Sequence, residues 1–372
     1  MKGIDYLVSK IYNHRFNLNK IAEIGQKEYK TAQYIRLYLD TLGIEYKSYL
    51  ETDTVGIIKG NNPKKTIAFR SDIDGLKTLS GVEHLCGHDG HMSILLGLIE
   101  FLNNNKVDLN DNIVFIFQPA EEGPGGAKDL IDAGLISDYK IDEIYGLHIY
   151  PEIEQGYVGI REGYFMAQSG EFDIEIKSKS AHGAMPQNGI DAIIIASNII
   201  NSLQTIISRN ISPTENGVVT VGKIIGGSIR NIIAENVVLQ GVMRTFDPNT
   251  YNTMKERMRT ICKGYEEVYN CNISVDIIDS YPAVNNNNEL FKEFITAIDQ
   301  DKVINLEPLM ISEDFSYYQK EVAGLFFMLG SKNQNRGFIN GLHNSNFNFD
   351  EEVLMDALEI YLDLLKHKGS LI

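Results

Sequence analysis

Long apolar runs are missing from this sequence: no stretch of eighteen consecutive apolar residues occurs, so no membrane-spanning helix is expected. The opening twenty residues, MKGIDYLVSKIYNHRFNLNK, have no apolar secretory core either, which predicts a cytoplasmic protein without an export signal. Cysteine is scarce and odd in number. Three thiols, Cys86, Cys262 and Cys271, in 372 residues exclude a disulfide framework and predict reduced cysteines. Positive charge is also in short supply. Thirty-four basic residues against fifty acidic ones leave a net charge of −16, which would repel nucleic acid and anionic membranes. What remains is a globular chain, 43% apolar, that is longer than one hydrophobic core usually supports and is expected to form two domains.

Within it, one octapeptide concentrates chemistry. His84-Leu-Cys86-Gly-His88-Asp-Gly-His91 holds three of the eight histidines and one of the three cysteines. Histidine and aspartate form poor cores and glycine costs chain entropy, so packing does not explain the cluster. Thiolate and imidazole are the donors that zinc selects, and added carboxylates would also suit manganese. Cys86 and His88 are therefore expected to bind a divalent ion, with the two glycines letting the backbone turn around it. For His84 and His91, ordinary polar positions in a loop and at a helix start are an equally good account.

The surrounding periodicity is α/β. Residues 5–42 read as two helices ending at Gly43, and short strands follow at 45–49, 55–59 and 66–70. The last leads into Asp72-Ile-Asp74, a carboxylate pair where open α/β sheets place their sites. Met92–Leu102 predicts a buried helix, and Asn112–Gln118 a strand covered on both faces. That strand runs into Pro119-Ala-Glu121-Glu122-Gly-Pro-Gly-Gly. Its glycines match neither phosphate-loop spacing, and adjacent acids would repel phosphate. One glutamate for metal and one for proton transfer fits better. The strand Glu143–Ile149 is predicted to end at His148, giving a third strand end with a potential ligand. After residue 167 the order becomes βαββαβ, a ferredoxin-like unit expected to be inserted over 168–280. Tyr281-Pro-Ala-Val and four asparagines mark the return. A polar turn at 312–315, a strand at 324–329, the loop Gly341-Leu-His343-Asn and a last helix at 351–366 complete the chain.

In order, Cys86-Gly-His88-Asp-Gly-His91, Gln118-Pro-Ala-Glu121-Glu122-Gly, Gly146-Leu-His148, Ser180-Ala-His182-Gly-Ala-Met-Pro186 and Gly341-Leu-His343 resemble the N-acyl-amino-acid amidohydrolases, a branch of the di-metal aminoacylase and carboxypeptidase superfamily. The resemblance implies an α/β fold with a mixed, largely parallel sheet flanked by helices over 1–167 and 281–372. It also implies that the inserted 168–280 is a lid through which a homodimer forms. It further implies that Cys86, His88, Glu122, His148 and His343 bind two divalent ions, zinc or manganese, that Glu121 is the general base, and that His182 of the partner subunit serves the oxyanion. Asp72-Ile-Asp74-Gly-Leu-Lys77 stands where the superfamily has His-x-Asp-x-x-Pro, so Asp72 occupies a ligand position and Asp74 would hold a ligand in place. Arg244, with Asn231 beside it, is the candidate fork for a substrate carboxylate. The implied activity is cleavage of N-acetyl-amino acids, N-acetyl-diaminopimelate or hippurate-type compounds to a carboxylic acid and a free amino acid. A metal-dependent dipeptidase or carboxypeptidase, or a non-catalytic binding protein on the same fold, are the alternatives.

Overall fold

The computed structural model describes residues 3–372, which divide into two compact units. The first comprises residues up to Phe165 together with Asn285–Glu307 and Asp314–Ile372; the second is Met166–Val284 with Pro308–Glu313. In chain order the first unit starts with helices α1 (Val8–Asn19) and α2 (Tyr29–Leu42) and strands β1 (Tyr46–Lys47), β2 (Thr54–Ile58) and β3 (Thr66–Asp72). Helix α3 (His88–Asn104), strand β4 (Asn112–Gln118), helix α4 (Ala127–Asp132) and strands β5 (Glu143–Glu154) and β6 (Val158–Ile160) follow. The second unit contains β7 (Gln168–Lys177), α5 (Ala192–Thr205), β8 (Gly217–Gly226), β9 (Asn236–Thr245), α6 (Pro248–Tyr269) and β10 (Asn272–Asp279). Helix α7 (Asn288–Ala297), strands β11 (Val303–Asn305) and β12 (Ala323–Lys332), and helix α8 (Glu352–His367) return to the first.

The first unit is built on an eight-stranded sheet of order β1-β2-β4-β3-β5-β12-β6-β11. Its centre, β4, β3, β5 and β12, is parallel, while β1, β2 and the β12–β6 pairing are antiparallel. All seven residues of β3 are buried, as a central parallel strand requires. Phe69 on β3 meets Tyr145 on β5 at 5.7 Å and Tyr361 on α8 at 4.6 Å between ring centroids, so an aromatic layer joins sheet to helix. Against it lies α3, buried over His88–Leu102. The helix begins at His88 rather than Met92, so the apolar run marks only its later turns.

The second unit has strand order β8-β9-β7-β10, all antiparallel, with α5 and α6 closing the core on one face. In order of appearance this is 2-3-1-4, the ferredoxin-like arrangement. Asp191 caps α5 by accepting from Ile193 N, and Asp247 caps α6 by accepting from Thr250 N. The segment Pro308–Glu313 joins this unit because Ala167 N–H donates to the carbonyls of Leu309 and Ile311.

Two expectations need correction. Strand β5 does not end at His148 but continues to Glu154, because β12 runs beside it in register past Leu329↔Ile149 and Gly330↔Tyr150. The asparagine run is also more than a turn. Asn286 is buried; its Nδ2 donates to the carbonyls of Arg161 (2.9 Å) and Phe326 (2.8 Å), and its Oδ1 accepts from Phe326 N (2.7 Å). Asn287 accepts from Glu289 N and Leu290 N and so caps α7. Replacing Asn286 by Ala removes the partner of two buried backbone groups of Phe326 and a half-buried one of Arg161, and is expected to lower stability by about 2 kcal/mol or more. A urea midpoint equal to wild type, at unchanged slope, would show that those groups find other partners.

Candidate metal centre

The centre is assembled where β3 and β4 end, where α3 begins, and where β5 passes. Gly87, with φ of 85°, turns the chain into α3 and presents Cys86 and His88 on either side of the turn. Gly90 has a different reason to be glycine: a Cβ there would come within 2.7 Å of Ile149 and Phe349, so its role is close packing of α3 rather than wrapping an ion.

Asp74 is the hub. Its backbone carbonyl accepts from Nδ1 of both His84 (3.0 Å) and His88 (2.9 Å), and its Oδ2 accepts from Glu122 N (2.9 Å). With Nδ1–H committed, His88 turns the lone pair of Nε2 inward. That atom makes no hydrogen bond and lies 3.9 Å from Glu122 Oε1, itself buried without a hydrogen bond. His343 Nε2 is 3.5 Å from the same oxygen and 2.7 Å from Cys86 Sγ. His343 arrives there because its own backbone N–H donates to Leu85 O (3.0 Å), in a left-handed conformation with φ of 64°.

These atoms form overlapping sets. Donors of Cys86, His88 and His148, of Cys86, Glu122 and His343, and of His88, Glu121 and Glu122 each lie within 4.8 Å of one another. Four-coordinate ions with ligands at about 2.0–2.3 Å hold their donors about 3.3–3.8 Å apart, and the 3.5 and 3.9 Å around Glu122 Oε1 are close to that spacing. Orphaned buried lone pairs at that spacing fit a pair of divalent cations.

Protonation agrees. Burial and neighbouring His91 push His148 down to about 3, so its imidazole is neutral and able to ligate. Burial would raise Glu122, but His343 and His88 overcome it and hold the carboxyl at about 2. Burial alone would lower His88; Asp72, Asp74 and Glu122 reverse this and hold it up at about 10, so without a cation Nε2 carries a proton, and its lone pair becomes available where a divalent ion supplies that positive charge instead. Burial raises the Cys86 thiol, and Glu122 raises it further. A bound cation is what would favour its thiolate.

Asp72 is occupied otherwise. Its Oδ2 is 2.9 Å from Arg70 NH1 and its Oδ1 2.7 Å from His91 Nδ1, and neither Arg70 nor Asp72 has any side-chain exposure. His91 Nε2 accepts from Ile149 N (2.9 Å), so this histidine ties α3 to β3 and β5. Burial lowers His91 and leaves it neutral. Arg70 also donates to Gln118 Oε1 (2.9 Å) and Asp314 Oδ1 (2.9 Å), joining the ends of β3 and β4 to the loop before β12. Arg15 and Asn19 of α1 donate to Asp89 Oδ2 at 3.3 and 3.0 Å behind the Cys/His turn. In the sequence Arg70 is read only as a strand end, Gln118 only as part of its motif and Asp314 only as part of a polar turn; the signal for their joint role is a charged pair two residues apart, Arg70 and Asp72, in an otherwise apolar buried strand.

Thus the first unit brings together Cys86, His88, Glu121, Glu122, His148 and His343, with Asp72, Asp74 and His91 around them. His182, Asn231 and Arg244 belong to the second unit. There His182 is exposed and its Nδ1 accepts from Ala184 N (3.1 Å); Asn231 O accepts from Gly183 N (2.8 Å); Arg244 NH1 donates to Met310 O (2.5 Å).

Compared with known proteins, residues 52–367 match peptidase family M20/M25/M40. An N-acetyldiaminopimelate deacetylase of Bacillus cytotoxicus is 37% identical over 380 positions, covering 98% of this chain and 99% of that protein. A solved protein of methicillin-resistant Staphylococcus aureus bearing an aminohydrolase name superposes with a TM-score of 0.92 at 30% identity, covering 98% and 97% of the two chains. A dinuclear metal-binding peptidase of the M20 family from Bacillus subtilis superposes with a TM-score of 0.85 at 27% identity, covering 99% of each.

Removing the guanidinium tests how much the centre rests on it. Arg70→Met removes the guanidinium that neutralises the buried carboxylates of Asp72 and Asp314, leaves them with their hydrogen bonds to His91, Gln118 and Ala127, and is expected to cost about 3–5 kcal/mol. Denaturant unfolding measures this; a loss below 1 kcal/mol would mean that the carboxylates are compensated elsewhere.

Proposed function

The chain belongs to peptidase family M20/M25/M40, and on that premise we propose that it hydrolyses the amide of N-acyl-amino acids using two divalent ions held by Cys86, His88, Glu122, His148 and His343. The observation that carries this reading is the inward-facing, unpartnered His88 Nε2 and Glu122 Oε1 among further imidazole and thiol donors. Thiol and imidazole favour zinc, and the carboxylates also suit manganese. An N-acetylated amino acid is the substrate class indicated by the name of the Bacillus cytotoxicus relative, and N-acetyl-diaminopimelate is its specific form. A thiol that must stay reduced suits a cytoplasmic setting.

Amide cleavage needs a better nucleophile than neutral water and a more electrophilic carbonyl. Divalent ions bound here supply Lewis acidity, which lowers the pKa of water from about 16 toward about 7 and polarises the carbonyl. The protein's own groups do the rest. Glu121, next to the ligand Glu122 and within 4.8 Å of its donors, takes the proton from water and returns it to the departing nitrogen. Such a group is worth about 10²–10⁴-fold in rate. Asp74 fixes the orientation of His88 and the backbone of Glu122. In a homodimer formed through the second unit, His182 of one subunit donates to the oxyanion in the other, and Arg244 with Asn231 receives the substrate carboxylate.

Two experiments separate these roles. Glu121→Gln should retain the wild-type metal content by elemental analysis and lose about 10²–10⁴-fold in kcat on an N-acetyl-amino acid, while Glu122→Gln should lose metal. The reverse pattern would exchange the two assignments. Mixing Glu121→Gln with His182→Ala subunits should restore about a quarter of sites, since random exchange makes about half of the dimers mixed and each mixed dimer has one intact site. No recovery after confirmed exchange would refute action across subunits.

A further inference from the structure

The loop that carries Glu121 and Glu122 is clamped from two sides. On one side Asp74 Oδ2 accepts from Glu122 N. On the other, Glu28 Oε1 accepts from Ala120 N at 2.9 Å, immediately before Glu121. Ala120 is buried and left-handed, with φ of 58°, a conformation that costs a non-glycine residue about 1–2 kcal/mol. Its carbonyl then accepts from both Gly123 N (3.3 Å) and Gly125 N (2.9 Å), closing the loop on itself. The strained residue is therefore the pivot of the turn.

Glu28 is placed for this by its own segment. Its carbonyl accepts from Ala32 N at the start of α2, and it has no solvent exposure. Gly25 brings the segment close: a Cβ there would come within 2.7 Å of Gly123 O and 3.0 Å of Ala120 Cα, so only glycine allows the two loops to touch. Burial pushes the Glu28 carboxyl up to about 7, the mark of a group held away from water at a cost to folding. A buried carboxyl that meets a strained backbone amide is hard to explain as packing.

We propose that Glu28 is a positioning residue for the proposed hydrolysis: by holding Ala120 in its left-handed conformation it aims Glu121, without touching substrate or metal. This rests on the functional reading above, so its test includes a measurement independent of turnover. Hydrogen exchange of the peptide spanning residues 119–125 should quicken at least tenfold in Glu28→Met, which has no acceptor. In Glu28→Gln, whose amide oxygen can still accept from Ala120 N, it should stay within threefold of wild type. Unchanged exchange in Glu28→Met overturns the proposal whether or not the wild type cleaves N-acyl-amino acids. Failure of the wild type to cleave them would overturn the functional reading alone.

Turnover supplies the second arm. Glu28→Met should lower kcat at least tenfold with KM within twofold and metal content unchanged, and Glu28→Gln should restore kcat to within threefold of wild type. Parallel loss of metal and kcat in Glu28→Met, or an equal fall in both variants, would make Glu28 merely structural. If Glu28→Met does not fold, Glu28→Asp replaces it, since the side chain is shorter by about 1.5 Å and the oxygen no longer reaches. Glu28→Asp is then expected to show the fast exchange and low kcat, and wild-type behaviour in it overturns the proposal.

Discussion

A guanidinium with no access to water, gripped by two equally buried carboxylates, underlies the rest of the first unit. Arg70 binds Asp72 and Asp314, and through Gln118 it joins the neighbouring strand. Ion pairs of this depth contribute little net stability, because desolvation offsets most of the attraction. Their effect is geometric. Asp72, held by Arg70, receives His91, and His91 in turn accepts from Ile149 N one residue beyond His148. The position of β5, and with it that of His148, follows from a charge pair on β3.

The same logic of commitment runs through the centre. Every imidazole whose Nδ1 is engaged by a backbone carbonyl, His84 and His88 on Asp74 and His148 on Ile149, has only Nε2 left to offer. A cluster of bare side chains could settle into several protonation patterns. Carbonyl partners remove that freedom in advance, so less reorganisation remains when a cation enters.

Much of this was legible in the sequence, because metal donors and turn glycines are few and their spacing is local. The βαββαβ order was legible for a similar reason, since strand and helix periods alternate clearly between residues 168 and 280. Other features were hidden by long sequence separation. Nothing near Asn286 reveals that its amide will serve Arg161 and Phe326, and nothing near Glu28 points to Ala120. His148 looked terminal because a polar side chain interrupts the apolar run with Pro151 close behind, yet the strand continues on backbone pairing with β12, which is indifferent to side chains. Gly90 looked like part of a binding turn and is glycine because Ile149 and Phe349 need the room.

One tie has a consequence for biosynthesis. The Cys86 thiol faces the ring of His343, 257 positions further along the chain, and the backbone of His343 is anchored on Leu85. A nascent chain that has released Cys86, His88, Glu122 and His148 still lacks this donor and its anchor for a further 195 residues. An ion that met the emerging chain earlier would find the proposed set incomplete. The proposed donor set is therefore complete only once the His343 loop lies against Leu85, on the same side of the fold where α8 packs onto α3.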